Sequence, residues 1–275
     1  MIKSQTSNMK HFYFLFTLLL ILGSCKNNTA KSTEDSEQEE AAQEQEMEKK
    51  YTLTAFSPSP AFPEAQLTLE AYQNGKFDFT VTSETYTLGN QTEDAPQKMC
   101  ANSDKGQHIH LIVDTDPYAA KYEADFDYEI PDGEKNILAF ISRSYHESIK
   151  TATSYVALKS TVENNSITSQ ENITEEMLFY SRPKGIYTGK KNTEKVMLDF
   201  FLVNSELGEN RKVRADINGE AHIIDQWVPY YIEGLPIGKN SITLNLIDGE
   251  GNLIEAPGNP VTREFELKED PAEEM

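Results

Sequence analysis

From Tyr51 onward the chain is written in short apolar alternations, each broken by turn residues. Residues 67–72 alternate, Asn74-Gly75 follows, and residues 76–81 alternate again, which predicts a β-hairpin closed by a tight Asn-Gly turn. The same texture predicts strands at 108–113, 136–141 and 155–162. After a polar stretch at 163–176, further strands are expected at 196–203, 212–217, 222–225, 241–248 and 261–267. Residues 246–254 read as a second hairpin with its turn at 248–252. No long apolar pattern of period 3.6 occurs in this part of the chain. Many short strands with frequent turns imply antiparallel sandwiches.

Two stretches of this series are alike. Residues 132–138 (DGEKNIL) line up with 237–243 (IGKNSIT) at an offset of 105. The same offset sets Tyr122 on Trp227, Phe126 on Tyr231, Ala139 on Leu244 and Ile141 on Leu246. The expected fold is therefore all-β, with two immunoglobulin-like antiparallel β-sandwich domains in tandem at 51–165 and 178–268. A linker is expected at 166–177 and an acidic tail at 269–275. One larger sandwich, with both halves in shared sheets, is the alternative.

The N-terminus reads as an address. Lys10 and His11 precede an apolar run from Phe12 to Leu22, the pattern of a secretory signal and far short of the ~20 apolar residues that span a bilayer. Leu22-Gly23-Ser24-Cys25 then resembles the lipobox of bacterial lipoproteins. That resemblance implies a signal peptide at 1–24, an acylated Cys25, and membrane contact through the N-terminal lipid. Residues 25–50 carry many acids and almost no apolar side chain, so they are expected to form a disordered tether extended by like charge. The expected location is the cell envelope, most naturally the outer membrane, on its periplasmic side or at the cell surface.

Charge and cysteine usage narrow the function classes. The formal net charge is −20, and losing Lys3 and Lys10 with the signal leaves 23 basic against 45 acidic residues, or −22. Such a chain repels nucleic acid and anionic lipid headgroups, so no nucleic-acid partner is expected. Of the two cysteines, Cys100 is the one left with a free thiol, so no internal disulfide is available. Cys100 is either a small buried hydrophobe or a metal or redox ligand.

The densest reactive side chains lie in the first half: Lys98-Met99-Cys100, Gln107-His108-Ile109-His110, and Arg143 to Glu147 with His146 between. In a strand His108 and His110 point to one side, so both imidazoles can reach one bound atom, with His146 arriving from a neighbouring strand. Histidine with Cys100 or Met99 suits copper or zinc. Ordinary hydrogen-bonded histidines are the plainer reading. Their facing depends on register. At offset 105 His108 and His110 fall on Val213 and Ala215 and face the core. A one-residue gap instead matches Ile109, Leu111 and Val113 to Val213, Ala215 and Ile217, and turns the histidines away; this second alignment is preferred.

Basic residues offer another site. Lys98, Lys105, Arg143, His146 and Lys150 are concentrated in an acidic chain, and Arg182 and Lys184 form a second patch; Arg143 could fork two phosphate oxygens. Solvated charge is the plainer reading here too. Asp114, Asp116, Asp125 and Asp127 lack a calcium-loop register, and Asp248 to Asn252 is accounted for by turn chemistry. No catalytic motif is present: no Gly-x-Ser-x-Gly, no His-Glu-x-x-His and no phosphate-binding glycine loop. No enzyme is expected.

The segments 98–103 (KMCANS), 106–112 (GQHIHLI) and 142–149 (SRSYHESI), with 181–185 (SRPKG) and 227–235 (WVPYYIEGL), are similar to a family of Bacteroidetes (flavobacterial) lipoproteins whose members are often called phosphopeptide-binding proteins. The resemblance covers essentially the whole mature chain and implies a non-enzymatic lipoprotein. The expectation is a lipid-anchored envelope protein binding phosphorylated or other anionic peptides through His108, His110, Arg143, His146, Arg182 and Lys184. The alternatives are a copper- or zinc-binding lipoprotein using His108, His110 and His146 with Cys100 or Met99, or a structural lipoprotein that contacts envelope proteins and takes no small ligand.

Overall fold

The computed structural model describes residues 49–271. The expected signal peptide, the expected acylation site Cys25 and all but the last two residues of the expected tether lie outside the described residues. The first half contributes β1 (Thr52–Ala55), β2 (Gln66–Gln73), β3 (Lys76–Thr82), β4 (His108–Val113), β5 (Ala119–Lys121), β6 (Asp125–Asp127), β7 (Gly133–Ser142), β8 (Tyr155–Glu163) and β9 (Ser166–Asn172). The second contributes β10 (Met177–Arg182), β11 (Gly185–Thr188), β12 (Val196–Val203), β13 (Arg211–Ile217), β14 (Glu220–Ile224), β15 (Tyr230–Glu233), β16 (Gly238–Asp248) and β17 (Val261–Lys268).

These strands form four sheets. The first half holds β2-β3-β6 and β5-β4-β7-β8-β9; the second holds β1-β15-β12-β10 and β11-β17-β16-β13-β14. All pairings are antiparallel except β11 with β17. The fold is thus two antiparallel β-sandwiches in tandem. One core lies between the first two sheets, with Phe77, Phe79, Ile109, Leu111, Ile137 and Ala139. Another lies between the last two, with Leu198, Phe200, Val213, Ala215, Ile242 and Leu244.

A third core joins the sandwiches. Ile112, Leu138 and Phe140 on the outer face of the first half meet Met177, Phe179, Phe201 and Val203 on the outer face of the second. Phe140 stacks on Phe201 with ring centroids 5.0 Å apart. The two middle sheets are therefore covered on both faces, and β4, β10 and β12 are buried at every position. This explains their sequences. Val196–Val203 reads VMLDFFLV, a nearly continuous apolar run, whereas β13 (RKVRADI) alternates because its outer face meets solvent.

The internal likeness is a likeness of ladders. Gly133 pairs with Val162 and Gly238 with Leu267; Ala139 pairs with Val156 and Leu244 with Val261, each residue 105 positions after its counterpart. The neighbouring ladder carries the one-residue gap: Val113 faces Ile137, and Ile217 faces Ile242. Ile109, Leu111 and Val113 accordingly enter the first core, and the histidines point out of it.

Three features differ from expectation. Residues 166–172, expected within a linker, form the edge strand β9, whose exposed polar side chains carry no apolar alternation. Residues 52–55, expected in the first sandwich, pair with β15 of the second. The likeness of Phe126 to Tyr231 slips by one. Phe126 packs on the first core, while Tyr231 turns outward and stacks on Phe56 at 4.0 Å.

Candidate metal centre

Because His108 and His110 leave the first core on the outer face of β4, they run into the second sandwich rather than into water. Neither has exposed surface. His146 joins them from the tip of a tight turn after β7. There Arg143 N–H donates to the Glu147 carbonyl and His146 N–H to that of Arg143. His146 has φ of 70°, a left-handed conformation that few non-glycine residues take, held here by the turn.

The three rings aim nitrogens at one point. Nε2 of His108 is 2.9 Å from Nε2 of His110 and 2.9 Å from Nδ1 of His146, and the third side of the triangle is 3.4 Å. Nδ1 of His108 lies 2.7 Å from the Gly106 carbonyl oxygen. A carbonyl only accepts, so that nitrogen carries the proton and Nε2 presents its single lone pair. One lone pair cannot satisfy two N–H groups, whereas one cation satisfies three lone pairs. A tetrahedral zinc with nitrogens at 2.0–2.1 Å sets them about 3.3 Å apart, close to the observed spacing. Among the described residues this is the one group of histidines, cysteines or carboxylates gathered tightly enough to hold an ion.

Outer contacts fix the rings as metal-ligating imidazoles are usually fixed. Besides the Gly106 carbonyl on His108, the Ser181 hydroxyl lies 3.3 Å from Nδ1 of His110. Tyr118 stacks on His110 with centroids 3.7 Å apart; its hydroxyl lies 3.3 Å from Nδ1 of His146, the nitrogen that faces the cluster, and so stands beside the ligand position itself. Burial keeps the cluster uncharged. It holds His108 at about 4 against the upward pull of the Gly106 carbonyl, and pushes His110 and His146 well below the usual imidazole range.

Gly106 is a tight point in this support. It has φ of +82°, and a Cβ there would sit 2.2 Å from the Gly89 carbonyl oxygen. Gly106→Ala is expected to cost about 1–3 kcal/mol of stability, measured as a lower urea midpoint, and to weaken metal binding because the carbonyl on His108 moves. Ser181→Ala is expected to weaken metal affinity about tenfold with little change in folding, as read by competition with a chromogenic chelator.

The remaining sequence candidates separate. Arg182 and Lys184 lie beside the cluster: Arg182 presses on the protonation of all three histidines, and Nζ of Lys184 sits 4.1 Å from the centre of the Tyr118 ring. Arg143 stands apart, donating from Nε to the Pro60 carbonyl at 3.2 Å and from Nη1 to that of Ser148 at 3.4 Å, with Glu147 also 3.4 Å away. Cys100 packs with Phe56, Tyr145, Met197 and Tyr231, and burial raises its thiol to about 12, so it behaves as a small hydrophobe and is not a member of the gathered histidine group. Met99 is exposed. Lys98 bonds to the Ser57 carbonyl at 2.9 Å, and Lys150 pairs with buried Asp199 at 2.7 Å. Tyr118 and Ser181 were not singled out by the sequence; both sit in segments whose role appears only when the two sandwiches meet.

No protein-family model matches this sequence, and no curated protein matches it. Among solved structures, the chain is similar to fibronectin(III)-like modules of Clostridium thermocellum CbhA at 14% identity and a TM-score of 0.28, over 82% of this chain and 98% of that one. It is also similar to a Ca2+-stabilized adhesin of an Antarctic bacterium at 11% identity and a TM-score of 0.24, over 78% of this chain and 51% of that one.

Proposed function

We propose that this chain is a non-enzymatic binding protein whose bound species is a transition metal, zinc or copper, held by His108, His110 and His146. The observation that supports it is the convergence of three imidazole nitrogens within 3.4 Å, one of which presents a lone pair when its ring donates to the Gly106 carbonyl. An all-nitrogen set suits either ion, and divalent copper binds such ligands more tightly than zinc does. Arg143 gives little support to an anionic-peptide site centred on it, because its N–H groups are already spent on carbonyls of its own half. An envelope address, with lipid at Cys25, remains part of the proposal and fits a protein that handles metal outside the cytoplasm.

Equilibrium dialysis of the full chain against Zn2+ and Cu2+, followed by elemental analysis, tests this reading. About one ion per chain that survives desalting is expected. Protein that returns to background metal after desalting contradicts it.

A further inference from the structure

The strand β10 does something unusual as it reaches the histidines. Along it, Met177 and Phe179 face the first sandwich, and Leu178 and Tyr180 face the second core. The ladder with β12 then slips: Tyr180 pairs with Phe200, but the next partners are Arg182 and Asp199. Ser181 is the extra residue of a bulge, a device that re-aims side chains. Residues opposite each other in a ladder share a face. Asp199 is on the face that meets the first sandwich, since it accepts the Ser148 N–H at 3.0 Å. Arg182 therefore turns to that face as well. Ser181 reaches Nδ1 of His110 at 3.3 Å, and Arg182 follows it on the face that meets the first sandwich.

Arg182 arrives there without a counter-charge. It is 6% exposed, its Nε has no hydrogen-bond partner, and no carboxylate among the described residues forms an ion pair with it. Asp199, across the ladder, is committed to Lys150 and the Ser148 N–H. Tyr187 offers its ring face 5.4 Å from the guanidinium carbon and a side-chain hydrogen bond, but no negative charge. A buried charge of this kind is costly unless paired. A divalent cation at the histidines adds more positive charge beside it, and half-buried Lys184 adds another. The arrangement lacks an anion, and an anion there meets both the metal and the fork of the guanidinium. His146 and Lys184, the partly exposed members, mark the side from which it enters.

We infer that the histidine-bound metal and Arg182 together hold one small oxyanion, a phosphate or carboxylate group, on the metal's fourth position. This rests on the metal reading above. Binding is by coordination and hydrogen bonding, with Lys184 contributing charge at the rim; no bond of the oxyanion is broken.

The test uses the full chain loaded with one equivalent of Cu2+, with the visible copper band followed during titration with inorganic phosphate and, separately, acetate. A saturable shift with at least one of them is expected, with no comparable binding to metal-free protein by calorimetry. At equal metal loading, Arg182→Met should weaken the anion about tenfold to a hundredfold, and Lys184→Met by less. A copper band indifferent to both anions overturns the inference while leaving the metal reading intact. So does equal anion affinity in the metal-free protein or in Arg182→Met. A charge-transfer band lost in Tyr118→Phe also overturns it, by showing that the phenolate takes the fourth position. Failure of the wild-type chain to retain copper removes both readings.

Discussion

Replacing His108 and His110 together by alanine should lower bound zinc or copper from about one ion per chain to background. The two nitrogens removed are the fully buried ones, and His108 Nε2 is the vertex of both short sides of the ligand triangle, 2.9 Å from His110 and 2.9 Å from His146. His146 alone, at the tip of a turn and partly exposed, cannot hold an ion against chelating competitors. The variant also opens space in the core between the sandwiches, where His110 packs on Tyr118 and Phe140, so some loss of stability is expected beside the loss of metal. The histidines face out of the first core, so Ile109, Leu111 and Val113 keep their packing when the rings are removed. Wild-type protein should gain thermal stability from added metal, about 2.7 kcal/mol when free metal reaches a hundredfold over Kd, and the double variant should gain none. Elemental analysis and paired melting curves measure both effects.

Phe140→Ala should be the most damaging single change in the core between the sandwiches. Phe140 has no exposed surface, stacks on Phe201 at 5.0 Å and lies 5.0 Å from the His110 ring. Truncation leaves a cavity where the two middle sheets meet, with an expected cost of about 3–5 kcal/mol, read as a lower urea midpoint. Because His110 leans on the same ring, metal affinity should fall in parallel. A Phe140→Leu variant, which fills most of the space, should recover much of both losses. A stability loss in Phe140→Ala with unchanged metal affinity would mean that the joining core and the histidine site are independent.

How much of this was legible depended on whether a strand faces water. The β13 sequence RKVRADI alternates and announces its register, and the β4 bounds match the strand read from the sequence at His108–Val113. The one-residue gap between β4 and β13 could be chosen from the match of Ile109, Leu111 and Val113 to three aliphatics, and the ladder carries that gap. What the histidines face was not legible. Pointing away from one core ordinarily means solvent; here it means a second sandwich, whose covering face is written in a continuous apolar run that hides its direction. Edge strands were equally opaque: β9 is polar at nearly every position, and the four residues of β1 carry nothing to say they belong to the other half. The bulge at Ser181 has no local signature, so Arg182, a candidate for binding an anion, could not be placed on the face that meets the first sandwich. Arg143, by contrast, looked poised for an anion until its carbonyl partners were in place.

The central claim is that three imidazoles from β4 and the following turn share one ion. X-ray absorption at the metal edge of the zinc-loaded full chain tests it most directly. The expected first shell contains three nitrogens at about 2.0–2.1 Å with the outer-shell scattering of imidazole rings. A shell of oxygens alone, or one with sulfur from Cys100, would contradict it.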